Sequence, residues 1–247
     1  GMESLAAGLA SALAATTDIS VLTDAVYAGH SYAYDFPVYP CLTRRLQDDA
    51  KVIKHHKADA YLSLNAGYAP LAEHVDAPFF SYCHGNDFLS VWINSMTRAE
   101  DFLVDRLAST PFFWRYRFTV RRRLLQSRVQ RGLNENACVF VNSSHTMTRL
   151  KATFPRVETP MFVVPPGLSS SYFADKPARP RQRTDCPLRL LTISRLITAN
   201  RRKNVDGVLR ALGKLRGELD FFYTIVGDGN MRGELEALAA EHGSRDR

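Results

Sequence analysis

Short, almost uninterrupted apolar runs alternate with helix-permissive stretches along most of this 247-residue chain. "ISVLTD" (19–24), "AYLSLN" (60–65), "FFSYCHG" (79–85), "ACVFVNS" (137–143) and "MFVVPPG" (161–167) form a first set. Such runs suit strands covered on both faces by helices, which is the arrangement of a parallel sheet in an α/β domain. A proline- and arginine-rich segment, "ADKPARPRQRTDCP" (174–187), then interrupts the pattern with the composition of a linker. Beyond it the pattern restarts. A strand "LRLLTIS" (188–194) precedes a helix from Asn204, with Val205, Val208, Leu209, Leu212 and Leu215 at helical spacing; strand "FFYTIV" (221–226) and a last helix follow. The expectation is two α/β domains, 1–173 and 188–247, joined by a linker at 174–187.

Both ends qualify that expectation. Leu5, Leu9 and Leu13 lie on one helical stripe, so the chain opens inside or just before a helix with no strand ahead of it. In a doubly wound sheet the strand before the first helix usually runs through the middle. The second domain has two strands for two helices. The first domain is therefore expected to lack its initial strand and the second to be half present, and the polypeptide as written is expected to be a fragment that does not catalyse alone.

With 45% apolar residues the chain can bury one large core or two modest ones. No apolar run approaches the roughly 20 residues of a membrane helix, and the N-terminus lacks a signal peptide's charged start and long apolar segment. The expected compartment is the cytoplasm. Cys41, Cys83, Cys138 and Cys186 are too scattered for a metal or redox motif and read as reduced thiols. Cys83 beside His84 suggests a nucleophile with its base. Adjacent strand residues point to opposite faces, however, which favours a packed thiol.

The net charge of +7 is unevenly spread. Between Arg115 and Arg131 stand seven Arg and no acid, an excess equal to that of the whole chain. This stretch is helix-permissive, and Phe118, Leu125 and Val129 can share a face. With "PFFW" ahead of it, the segment from Trp114 to Arg131 has the makings of a basic amphipathic helix that lies peripherally on an anionic membrane surface. The alternative is a solvated helix whose Arg stems cover apolar surface. Nucleic acid is not the expected partner, because aromatic and basic residues are not interleaved on strands and no finger or RNA-binding motif is present.

Several stretches carry a family likeness. Gly1 and Glu3 open the first helix; "HGND" (84–87), "VFVNSSHT" (139–146) and "VVPPGLSSSYF" (163–173) follow; "ISRLITANRRKNVDGVLRAL" (193–212) and "YTIVGDGNMRGELEAL" (223–238) complete the set. In order and spacing these resemble the retaining, nucleotide-sugar-dependent glycosyltransferases of the two-Rossmann-domain GT-B fold, in the large group that includes sucrose synthases and bacterial polysaccharide and lipopolysaccharide transferases. The resemblance implies transfer of a sugar, with retention, from a nucleoside-diphosphate-sugar donor to a glycan or lipid-linked saccharide acceptor. It implies no cofactor, and no Asp-x-Asp or clustered His or Cys set suggests a metal.

A nucleotide-sugar donor loses a diphosphate, so fixed cations and backbone N–H groups must meet the charge that grows on it. By resemblance, Arg195 and Lys203 clamp the two phosphates, with Arg201 or Arg202 as substitutes for Lys203, and Gly1 belongs to the same phosphate-binding set. Read without the family, the cations are a solvated loop. Gly227, Asp228 and Gly229 form a strand-to-helix turn, by resemblance on the nucleotide side; glycine there either lets a ligand approach the backbone or satisfies a structural turn. His84 is matched to a histidine that contacts the transferred sugar, and Asp87 to a group that orients it or an acceptor hydroxyl. Three features depart from the family, the first being that a family glycine expected just ahead of Gly1 is missing. The turn usually written Pro-Asn-Gly-Val-Asp is Pro165-Pro166-Gly167-Leu168-Ser169, and the family's paired glutamates would lie beyond Arg247.

Two other classes are compatible with an α/β chain. A nicotinamide oxidoreductase needs G-x-G-x-x-G after a strand, and Gly233 falls one position late for it. A non-catalytic nucleotide-sugar-binding or membrane-associated module would keep the fold without the reaction.

Overall fold

The computed structural model describes residues 2–30, 33–85, 87–89, 93–94, 96, 98–108, 114–167, 187–198, 203–215 and 217–242. Gly1, Arg201, Arg202, Cys186 and all of the expected linker except Pro187 lie outside them. The fold is α/β and Rossmann-like, with parallel strand pairing throughout the described sheets. The chain divides into two compact units, Gly1–Asp175 and Lys176–Arg247.

The first unit opens with α1 (Met2–Ala14), on which Leu5 and Leu9 are half-buried and Leu13 is exposed. Strand β1 (Val21–Asp24) pairs with β2 (Val38–Leu42), a strand absent from the apolar-run reading. Its sequence, Val-Tyr-Pro-Cys-Leu, contains a proline that cannot donate to a ladder. Pro40 is accommodated because β2 has a single strand neighbour and the register shifts just there, between Thr23 and Asp24.

Helix α2 (Leu46–His55) leads into a four-stranded sheet. It comprises β3 (Tyr61–Ser63), β4 (Phe79–Cys83), β5 (Cys138–Val141) and β6 (Met161–Val163), in that order. A long 3-10 segment (Ala66–His74), α3 (Arg98–Ala108) and α4 (Trp114–Asn134) fall between these strands in sequence, and α5 (Ser144–Thr153) joins β5 to β6. The strand period of two sorts the side chains. Cys83, Val139 and Val141 join the main core with Val129 and Leu133 of α4 and Leu150 of α5. On the other face Phe80, Phe140 and Phe162 stack in a ladder, with ring centroids 6.1 and 6.4 Å apart, and Phe162 is 53% exposed. Among the described residues this second face is the less covered one: Phe80 and Phe140 are half-buried, and Phe162, on the edge strand β6, is exposed.

Helix α4 sits so close to the 3-10 segment that a Cβ on Gly132 would lie 2.4 Å from the Pro70 backbone. Its C-terminal carbonyls are capped from outside, by Asn136 Nδ2 on Gly132 O at 2.6 Å and Thr159 Oγ1 on Leu133 O at 2.7 Å.

Asp49 of α2 is fully buried. One carboxylate oxygen accepts from Thr43 N at 2.7 Å and Thr43 Oγ1 at 2.9 Å, which holds the turn where Arg44 adopts φ +62°. The other oxygen has no hydrogen-bond partner among the described residues. Burial raises the carboxyl pKa against the lowering effect of the Thr43 hydrogen bonds. A raised native value means the folded state binds the proton more tightly than the unfolded state, so this group disfavours folding increasingly as pH rises from the ordinary carboxylate value to the raised one. Asp49→Asn removes that dependence and keeps an acceptor for Thr43. In denaturant titrations the stability of the Asn variant relative to the parent should rise with pH across that window; an offset independent of pH would contradict it.

In the second unit β7 (Leu188–Ile193) and β8 (Phe221–Val226) pair along their full length. Helices α6 (Val205–Lys214) and α7 (Arg232–Glu241) supply Val205, Leu209 and Leu235 to a core with Leu196 and Met231, against which Tyr223 and Ile225 pack. The alternate residues Leu191 and Ile193 are 62% and 74% exposed, so among the described residues the helices pack on one face of this strand pair.

Candidate functional site

Open parallel sheets bind ligands beyond the carboxyl ends of their strands, where loops and helix N-termini converge. Each unit has such a place.

In the first unit β4 runs out into His84 and Gly85. The carboxylate of Asp87 turns back under this loop: Oδ1 accepts from His84 N at 3.0 Å and Gly85 N at 2.9 Å, while Oδ2 accepts from Ala66 N at 2.9 Å. Asp87 is 7% exposed, and both of its oxygens serve backbone donors. It therefore shapes the loop that carries His84 and fastens it to the start of the 3-10 segment. The His84 ring lies against Tyr82, with centroids 4.7 Å apart, and its Nε2 is buried with no hydrogen-bond partner among the described residues. Burial lowers the imidazole pKa, partly offset by the Asp87 charge. The neutral ring is favoured at neutral pH and can donate or accept a hydrogen bond. Cys83 is fully buried and burial holds its pKa well above the usual thiol value, so it stays a protonated packing group.

The end of β5 meets this loop. Asn142 Nδ2 donates to His84 O at 3.4 Å, and Thr146 Oγ1 donates to Asn142 Oδ1 at 2.6 Å. Ser143 caps α5 by accepting from Thr146 N at 3.2 Å. Gly85 has φ +101°, and a Cβ there would meet Thr146 Oγ1 at 3.2 Å. Asn142 and Thr146 were not singled out as site residues from the sequence. Their signal was a strand ending directly in Asn-Ser-Ser-x-Thr, a helix cap at a strand's carboxyl end.

In the second unit the exits of β7 and β8 interlock. Leu196 N donates to Asp228 O at 2.9 Å and Met231 N to Leu196 O at 2.8 Å, while Asn230 Oδ1 accepts from Thr198 N at 3.1 Å. The two glycines of the turn have a steric reason. A Cβ on Gly227 would lie 1.8 Å from Ser194 O, and one on Gly229 would lie 2.3 Å from Leu196 O. Close approach of the two exits thus accounts for both glycines. Arg195 is exposed on the first exit, and Asp228 is exposed on the second, 3.7 Å from Arg232. Ser194, Arg195, Leu196 and Ile197 line a small cleft with Val205 and Asp206 of α6. Lys203 is exposed just ahead of that helix, whose N-cap Asn204 has φ +57°.

Asp206 is a cleft residue that the sequence did not flag. It is 9% exposed, sits in the first turn of α6 and pairs with Arg210 at 3.0 Å. A carboxylate there already interacts favourably with the helix dipole. An incoming anion must therefore be held chiefly by side-chain cations. Among the described residues no group of three or more His, Cys, Asp or Glu converges as a metal site.

The chain matches no protein-family model and no curated protein sequence.

Proposed function

We propose that the chain belongs to a retaining GT-B glycosyltransferase, and that its second unit binds the diphosphate of a nucleotide-sugar donor at the exits of β7 and β8. The observation that carries this reading is Arg195 in the wall of the strand-exit cleft, with Lys203 exposed immediately ahead of α6; Asp206 already occupies that helix N-terminus, so the cations supply the charge. Guanidinium and ammonium groups at a strand-end cleft suit two adjacent phosphates, and the same groups stabilise the leaving diphosphate as the glycosidic bond breaks. In the first unit the buried Nε2 of His84, which has no hydrogen-bond partner among the described residues, is suited to a sugar hydroxyl. Asp87 has a positioning role in this reading, because its oxygens hold the loop. The acceptor is a glycan or a lipid-linked saccharide.

Calorimetric titration with a panel of nucleoside diphosphates, with and without chelator, tests this; binding should survive chelation because the clamp itself supplies the positive charge. One charge-assisted contact contributes roughly 1.5–3 kcal/mol, so Arg195→Ala should weaken binding about 10- to 150-fold, and Lys203→Ala similarly. Unchanged affinity in both variants would reject the clamp. Binding that is unaffected by either variant and abolished by chelation would point to a metal-dependent site instead.

A further inference from the structure

Helices α3 and α4 pack side by side in antiparallel directions. Val104 of α3 meets Leu125 of α4 in a small core with Met96, and Glu100 forms an ion pair with Arg128. These contacts fix which sides of the two helices are left over. Phe102 and Leu103 on α3 are 62% and 56% exposed, and Val120 and Leu124 on α4 are 45% and 37% exposed. Val120 and Leu124 are one helical turn apart, and Arg131 follows on the same stripe. Arg123 is exposed and flanks this stripe, three residues on from Val120, whereas Arg122 is exposed on the opposite side of the helix.

Water suits this surface poorly in two ways. Four large apolar side chains stay wet, and Arg123 and Arg131 stand exposed with them on a helix that has no acid between Trp114 and Asn134. An anionic lipid surface relieves both, since its phosphates accept from guanidinium groups while the acyl boundary takes the apolar side chains. A nucleic acid would satisfy the cations and leave Phe102 and Leu103 exposed. Among the described residues no helix is long and apolar enough to cross a membrane. We propose that this face of the α3–α4 pair docks on anionic lipid, lying in the headgroup region with Phe102, Leu103, Val120 and Leu124 turned toward the acyl boundary. The inference does not rest on the glycosyltransferase reading, and either can fail alone.

Cosedimentation of the 247-residue chain with phosphatidylcholine vesicles, with and without phosphatidylserine, tests it. Binding should require phosphatidylserine and weaken with added salt. Each arginine near such a surface contributes about 1 kcal/mol, so replacing Arg123 and Arg131 together with Gln should weaken binding roughly 30-fold, and Arg122→Gln, on the far side of the helix, should weaken it less than either. Phe102→Ser with Leu103→Ser keeps every charge and should weaken binding roughly tenfold. Circular dichroism checks that each variant folds, and the salt titration of the unaltered chain tests the proposal without any variant. Equal binding to both vesicle types, or insensitivity to salt, would overturn it. So would loss on removing the arginines with none on removing Phe102 and Leu103, which would mark a general polyanion site.

Discussion

Asp87→Ala should lower the stability of the first unit by about 3–5 kcal/mol, because it strands three backbone N–H groups at the end of β4, each costing roughly 1–3 kcal/mol when buried without an acceptor. Ala66, one of the three donors, is fully buried and has no route to water. The loop that carries His84 would open along with it. Asp87→Asn keeps one carbonyl oxygen and places an amide group against a backbone donor, so it should fall between the two. For a domain of this size each kcal/mol shifts the melting temperature by roughly 2–4 °C. The Ala variant should therefore melt about 6–20 °C lower, with the parent protein as reference. A change of less than a degree or two would mean that the carboxylate does not hold the loop.

Gly227→Ala should be as damaging to the second unit, and for a reason unrelated to any ligand. Its φ of +152° is one that L-residues rarely adopt, and its Cβ would overlap the backbone oxygen of Ser194 at 1.8 Å. No flexible side chain can move aside, so the β7 and β8 exits must separate and break the Leu196 N to Asp228 O bond. Strain of roughly 1–3 kcal/mol for the backbone, added to the lost packing, is a large fraction of the stability of so small a unit. Gly233→Ala is the control: no atom lies within 4 Å of its Cβ, and in the first turn of α7 alanine should be neutral or stabilise by up to about 1 kcal/mol. Hydrogen exchange of the β7 and β8 amides distinguishes the two. Protection should collapse in Gly227→Ala and persist in Gly233→Ala; protection retained in both would show that the exits tolerate a side chain.

These two sites also show what was legible before the fold was known. The strand at Phe79 and the loop holding His84 could be read from one apolar run ending in His-Gly, because that signal is local. The grip of Asp87 could not, since the Ala66 donor is 21 residues away and the 3-10 segment that brings it near has no periodic signature. Gly227 and Gly229 were legible as a turn, while their necessity depends on the backbone of Ser194 and Leu196, more than 30 residues earlier. Strand β2 was hidden by Pro40, which reads as a breaker until the register shift opposite it is seen. Cover on both sheet faces was expected because Leu191, Ile193 and Phe222 are as apolar as the residues that face the helices. Composition alone cannot separate an exposed apolar face from a buried one.

On the proposed reading the strand exits of the second unit form a diphosphate clamp. Titrating a nucleoside diphosphate into isotopically labelled chain and following the amide resonances tests it by location as well as by affinity. Saturable shifts are expected at Arg195 to Ile197, at Lys203 to Asp206 and at the Gly227 turn, with shifts lost in Arg195→Ala. Saturable shifts elsewhere with these amides unmoved, or no shifts at any concentration, would contradict it.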